Sequence, residues 1–418
     1  MNKRESKLDR RKKSLERQSK SHVRDINLDK MFLWVSVTFA AILGTVIISS
    51  IVFFHKTIKD SEAVINKNVY KKYSRVYAMI VCNMEDDYKQ SVYESALKAA
   101  QEKDAYVVLL GKGLDKEYSK NDLLRMAINA NYDGIILEGN GITDNTDGST
   151  SVDLGADDAN SAENEEFNRL IREANSEKKK VPIVTINEDI TTTDRVSYVC
   201  VNRYILGREY GKQLCQYVTE HNAMLDGGRK DEDDKETKRY SKDNKCIVKI
   251  LADKAQSVGN LTTIMSGIKG KIAESQMSEY FDIENIAVDN EANYVTEEQI
   301  KNLIIEEEDI RPNVLVCLTE KSTISAYRSV VDNTLSEKIQ IMGFYYLSTM
   351  KEAIMKQSIK SFVAIDTDQM GYYAVNAFDE YLNTGYTSNM YMADLKFVTK
   401  DNIPSLIKEG GSNEDETD

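Results

Sequence analysis

The stretch Met31–Phe54, MFLWVSVTFAAILGTVIISSIVFF, runs for 24 residues without a charge. At about 1.5 Å per residue, a helix of that length crosses a hydrocarbon core of about 30 Å. A helix buried in a soluble domain keeps a polar face, and this run has none. It reads as a membrane-spanning helix, so the chain on its two sides must fold as separate parts.

Residues 1–30 carry eleven Lys or Arg against five acids. Short basic flanks stay in the cytoplasm, which places the N-terminus inside and the C-terminal part outside the cell membrane. The tail's +6, set against −13 for the whole chain, leaves −19 beyond Lys30. So acidic an ectodomain excludes nucleic acid as a partner. The basic tail lacks the apolar periodicity of a helix-turn-helix and suits a patch on anionic lipid. The apolar run is too long for a signal-peptide core, no small-x-small cleavage site follows it, and no Cys stands between Met31 and Lys56. The expected anchor is the uncleaved helix itself.

Residues 55–74 read as a polar stalk. From Arg75 onward, apolar β-branched runs alternate with amphipathic segments. Val76–Asn83, Ala105–Gly111, Asp133–Gly139 and Val181–Asn187 are expected strands, with helices over Lys89–Gln101, Asn121–Asn131 and near Glu165–Ser176 between them. A second series starts at Val196 and continues through strands at Cys246–Leu251, Asn285–Val288, Val314–Leu318, Ile339–Phe344 and Lys360–Ile365. Such alternation means parallel sheets with right-handed crossovers, and its length calls for two α/β lobes. Gly141–Asn164 and Asn222–Asn244 are polar, with almost nothing to bury, and read as surface insertions; residues 409–418 read as an acidic disordered tail.

Chemistry of the enzymatic kind finds no footing. The three histidines, His22, His55 and His221, lie far apart in sequence, and no Gly-x-Gly-x-x-Gly, phosphate-binding Gly-Lys-Ser/Thr or Gly-x-Ser-x-Gly occurs. The five cysteines (Cys82, Cys200, Cys215, Cys246, Cys317) have no Cys-x-x-Cys spacing, so they read as buried small hydrophobes rather than zinc ligands or a disulfide framework. No catalytic residue, metal or cofactor is expected. Gly207 and Gly211, four apart, read as a close helix contact.

The order of segments, with Tyr88 after the first strand, then VPIVTINED, VSYVCVNRYILGREYG, IQIMGFYYLSTMKEAI, IKSFVAIDTDQMGYYAVNAF and LKFVTKDNI, resembles the type I periplasmic solute-binding proteins of the ribose and galactose group. The resemblance covers residues 75–408. It implies two Rossmann-like lobes of parallel sheet flanked by helices and joined by three hinge strands, with crossings near Cys200–Asn202, Ile365–Asp366 and Ala393–Leu395. Lobe 1 is then 75–201 with 366–394, and lobe 2 is 202–365 with 395–408. Ligand is held where the strands' carboxyl ends meet, and the lobes close by hinge bending.

Carried over position by position, the resemblance implies ligand-binding roles for Asp87 and Tyr88 on the first loop, Asn187 and Glu188 after the fourth strand, Thr319 where an Asn is usual, and Tyr345 where an Asp is usual. Glu188 reverses the charge of the base that normally follows Asn187. Ile365 stands where an amide is usual, and the second-lobe arginine expected near Leu261–Ile264 is absent. Two functions follow. The first is a membrane-tethered extracytoplasmic receptor capturing a sugar-like small molecule by cleft closure for the permease of an ABC importer. The alternative is an extracytoplasmic sensor or interaction module reporting ligand state to a signalling partner such as a sensor kinase.

The charge step across Met31–Phe54 makes the topology testable. Protease added outside intact cells should release a fragment close to residues 57–418 and leave the basic tail protected. Digestion of the tail instead would reverse the orientation.

Overall fold

The computed structural model describes residues 72–403 except 115, 117, 140–157, 191–193, 227–238, 255, 291–292, 306–310 and 346–349. The expected basic tail, membrane span and acidic C-terminus, and nearly all of the stalk, lie outside these residues. No helix among the described residues is long and apolar enough to cross a membrane.

Twelve strands form two six-stranded sheets. The first has the order β11-β5-β4-β3-β1-β2 and takes β1 (Arg75–Ile80), β2 (Ala105–Leu109), β3 (Gly134–Leu137), β4 (Ile183–Ile186), β5 (Ser197–Val201) and β11 (Met390–Ala393). All its pairings are parallel. The central strands β3 and β4 are buried along their whole length, the pattern of strands covered on both faces. The covering helices include α1 (Asp87–Glu102), α2 (Lys120–Ala130) and α3 (Asp158–Ala174).

The second sheet has the order β12-β10-β9-β8-β6-β7. Its strands are β6 (Cys246–Asp253), β7 (Phe281–Val288), β8 (Val314–Cys317), β9 (Gln340–Phe344), β10 (Ser361–Ile365) and β12 (Leu395–Thr399). Four helices lie along the chain of this lobe: α4 (Arg203–Asp226), α5 (Val258–Glu274), α6 (Asn293–Ile305) and α7 (Glu320–Asp332), with a short α8 (Lys351–Met355) before β10. A ninth helix, α9 (Thr367–Thr384), returns to the first lobe and packs on α1, Gly371 lying against Ser95 and Ala96. The chain thus crosses between the sheets after β5, after β10 and between β11 and β12.

Several details differ from the sequence reading. β12 is antiparallel to β10, because a chain returning through Asp394 directly from β11 enters the second sheet from the hinge side with no crossover helix to reverse it. β11 escaped notice because Met390 and Met392 face outward and only Ala393 is buried. The segment read as an insertion up to Asn164 already contains the start of α3. That helix is fixed by Phe167, Leu170, Ile171 and Ala174, all buried on one face, and the Asn121 amide donates to the Glu163 carbonyl at 3.0 Å. The second insertion is not bare of buried groups at its ends. Tyr240 and Asn222 are buried and exchange two hydrogen bonds, the Asn222 amide to the Tyr240 carbonyl and the Tyr240 N–H to Asn222 Oδ1, so they pin its base. All five cysteines are free thiols; Cys200, Cys215, Cys246 and Cys317 are buried as expected, whereas Cys82, just past β1, is exposed.

The α4–α5 contact shows why small residues are needed there. A Cβ on Gly207 would stand 2.0 Å from the Ile264 carbonyl oxygen, and one on Gly267 would stand 2.3 Å from that of Tyr204. Gly211 is similarly close to Ile268, in keeping with the close contact read from the sequence. Gly259, on the same helix α5, meets nothing within 4 Å. Gly207→Ala is therefore expected to lower stability by about 1–3 kcal/mol through overpacking. Gly259→Ala should be neutral or raise it by up to about 1 kcal/mol. Thermal melting of the two variants beside the parent checks the pair.

Candidate functional site

In both sheets the parallel strands end on the side where the lobes face each other, so loops at their carboxyl ends meet there. Three of these loops open with a non-glycine residue in the left-handed region: Asn83 (φ 48°) beyond β1, Asn187 (φ 59°) after β4 and Tyr345 (φ 58°) after β9. Asn tolerates this conformation, whereas a tyrosine held there stores backbone strain of order 1–3 kcal/mol. The turn at Asn187 is braced by a buried ion pair. Arg195 Nε and Nη2 donate to Asp189 at 2.6 and 2.8 Å, and Asp189 also accepts from the Thr185 hydroxyl at 2.6 Å. Gly139 is needed beside it, since a Cβ there would lie 2.2 Å from the Asp189 carbonyl oxygen.

The Tyr88 side chain, 5 % exposed, reaches from the start of α1 into this meeting point. Its hydroxyl donates to Asn187 Oδ1 at 2.7 Å. Its ring stands edge-on to Phe344 at 5.7 Å and to Tyr345 at 5.2 Å, both from the other lobe. Burial pushes the Tyr88 and Tyr345 phenols up, so both are neutral donors. Asn187 uses its amide on Glu138 Oε1 at 3.3 Å, and its carbonyl accepts from the Tyr198 hydroxyl at 2.6 Å and from Arg203.

Glu138 ends the buried strand β3 and is itself buried. Burial alone would push its carboxyl up, but Lys89, Lys120 and the Cys82 N–H (2.9 Å) outweigh it and hold it below the usual carboxylate range. Lys89, on α1, forms the ion pair with Glu138.

Two glutamates cross between the lobes. Glu188, from lobe 1, accepts from Asn260 Nδ2 at 2.6 Å, in the first turn of α5 in lobe 2. Arg203, at the first crossing, lies 3.5 Å from its other oxygen. Glu320, from lobe 2, accepts the Asp87 N–H at 3.2 Å and the Tyr88 N–H at 3.0 Å, the free amides that open α1 in lobe 1. Burial raises both carboxyls despite these donors. Lys321 adds a third link, donating to Asn83 Oδ1 at 3.3 Å and to the Asn290 carbonyl at 2.7 Å.

The structure therefore brings Tyr88, Asn187 and Tyr345 together, with Glu188 beside them. Asp87 enters through its backbone N–H only, its residue being exposed. Thr319 turns onto its own helix, capping α7 by accepting from the Ser322 N–H at 3.1 Å. Sequence reasoning missed Lys89, Glu138, Arg203, Asn260 and Glu320. A signal existed for Glu138, an acid directly after the apolar strand β3, where burial is costly unless the group is used.

Two parallel-sheet lobes facing each other through strand carboxyl ends and joined by three crossings define a hinged two-lobe binding protein. The chain belongs to the periplasmic binding protein domain family, whose model matches residues 160–386, over half of this chain. Among solved structures, GanP, a glucose-galactose binding protein from Geobacillus stearothermophilus, is 20 % identical, with a TM-score of 0.57 over 79 % of this chain and 99 % of that one. An ABC transporter solute-binding protein from Agrobacterium vitis bound with α-D-tagatopyranose is 14 % identical, with a TM-score of 0.59 over 80 % and 98 %. The XylFII–LytSN complex gives 18 % identity and a TM-score of 0.55 over 79 % and 99 %. At such identities the likeness shows the fold. No curated protein matches the chain in sequence.

Asp86, the residue before α1, sits in this charged cluster. Burial first, then Glu320, push its carboxyl up to about 6, against opposing pulls from Lys89 and Lys321. The folded protein thus binds a proton here that the unfolded chain has already lost. Stability from this group rises as pH falls from 7 through 6 towards 4, and its penalty is full at neutral pH. Asp86→Asn should stabilise the protein by about 2 kcal/mol at pH 7 and by about half as much at pH 5. Denaturant melts of the two proteins at both pH values check this; equal differences at both would disprove it.

Proposed function

We propose that this chain is a membrane-tethered extracytoplasmic solute-binding protein that holds a neutral, sugar-like molecule between its lobes. The observation that carries the reading is the convergence of Tyr88, Asn187 and Tyr345 between the lobes. An aromatic face beside an amide and a dense set of hydrogen-bonding groups is what recognition of a polyhydroxylated ring requires. The Tyr88–Asn187 bond occupies the place such a ligand would take, and a sugar hydroxyl that both donates and accepts is able to replace each partner for the other. Glu138, with its donors fixed, orients Asn187 for that exchange.

Met31–Phe54 is proposed as the anchor, with the lobes outside. Delivery to the permease of an ABC importer is the leading output, supported by the family and by the transporter protein from Agrobacterium vitis. A second reading is supported by the chain's own contacts across the cleft. Lobes held together by side chains suit a module whose conformation is read by a membrane partner such as a sensor kinase, and the XylFII–LytSN complex is a relative of this fold with a partner bound.

The test is a thermal-shift panel of neutral hexoses, pentoses and their acids on the full chain. A ligand that binds only the folded form adds about 2.7 kcal/mol at a hundredfold excess over Kd. Tyr88→Phe, which removes one hydroxyl and keeps the ring, should reduce affinity about tenfold with a small change in the unliganded melt. A panel with no shift would remove the sugar reading.

A further inference from the structure

We infer that the lobes are latched shut by the chain's own glutamates: Glu188 and Glu320 each dock on the first turn of a helix in the opposite lobe, so that closure does not wait for ligand. The arrangement is reciprocal. Lobe 1 sends Glu188 to the Asn260 side-chain amide on α5, and lobe 2 sends Glu320 to the Asp87 and Tyr88 backbone amides on α1.

A helix start presents N–H groups without intrahelical partners and a partial positive charge, so a carboxylate is its natural complement. Neither helix start has a carboxylate cap from its own N-cap residue. Asp86 precedes α1 and makes no side-chain cap bond, while α5 is capped by the neutral Ser257 hydroxyl. Across the cleft, Glu320 takes the α1 backbone amides and Glu188 takes the side-chain amide of Asn260 in the first turn of α5. Glu320 is 7 % exposed and the Glu188 side chain 15 %. Opening the lobes would strip donors from two buried acids at once, which makes undocking cooperative.

The other contacts between lobes fit the same closed state. The Tyr88 ring stands edge-on to Phe344 and Tyr345, and Lys321 reaches Asn83. Thr319, next to Glu320, bonds only within its own helix end and serves as a control. The latch acts on the proposed ligand site but does not depend on which ligand enters it.

Hydrogen exchange of the full, ligand-free chain, followed by mass spectrometry, reads the latch directly. Glu320→Ala should speed exchange at Asp87 and Tyr88 about tenfold and also speed it at residues 257–261, which Glu320 does not touch. Glu188→Ala should give the mirror result, and Thr319→Ala should leave residues 86–88 unchanged. If each glutamate variant alters only the segment it contacts, or neither segment changes, the glutamates are local caps and the latch is refuted. Unchanged exchange in β1 and β8 marks intact lobes. Should an alanine variant loosen those strands, Glu320→Gln and Glu188→Gln replace it, and the latch stands only if both segments still exchange faster. A failed sugar panel leaves this result intact, and its own failure leaves the sugar reading in place.

Discussion

A buried carboxylate must find donors or give up its charge, and three of them, Glu138, Glu188 and Glu320, set how the two lobes meet. Glu138 and Glu188 follow the apolar strands β3 and β4, and Glu320 opens α7 just after β8, where little water reaches them. Their solutions differ. Glu138 is answered within its own lobe by Lys89 and the Cys82 N–H, and its carboxyl is held low. Glu188 and Glu320 are answered only by groups on the facing lobe, and burial still raises both. The first makes one lobe rigid; the other two make the relation between lobes part of the electrostatic balance.

Rigidity of the turn at Asn187 is the other half of the design. Its left-handed backbone, the Asp189–Arg195 pair and the absence of a Cβ at Gly139 fix where the amide and carbonyl point. Tyr198 and Arg203, both near the first crossing, then bond the same carbonyl. Any hinge motion at residues 201–203 is thereby felt at the site, because the groups that hold Asn187 sit on the hinge itself.

Much of this was legible before any coordinate. The strand and helix alternation gave two parallel-sheet lobes because strands such as β3, β4 and β8 are apolar on both faces, a pattern that only a doubly covered sheet explains. Tyr88, Asn187 and Tyr345 were legible by position, since loops after parallel strands converge. Thr319 was misplaced because position alone does not tell a helix cap from a cleft group; its spacing to Ser322 is that of a capping residue. Glu320 and Asn260 were invisible for a different reason. Their partners lie 232 residues and 72 residues away in sequence, and no local pattern encodes a contact between lobes.

A cleft whose polar groups already satisfy one another changes what ligand binding can mean. A hydroxyl that replaces the Tyr88–Asn187 bond exchanges one hydrogen bond for another of similar worth, so affinity must come from the surplus: ring stacking, extra bonds, or release of the strain stored at Tyr345. Population arithmetic adds a second constraint. A ligand that binds two conformations equally shifts neither, however tightly it is held. If the latched form is the resting state, a ligand fitting that form alone would leave the lobes where they are and give a partner nothing to read. A readable ligand must therefore favour an arrangement in which at least one glutamate has left its helix. That requirement puts Glu188 and Glu320, rather than the residues that would touch a ligand, in control of whether capture becomes a signal.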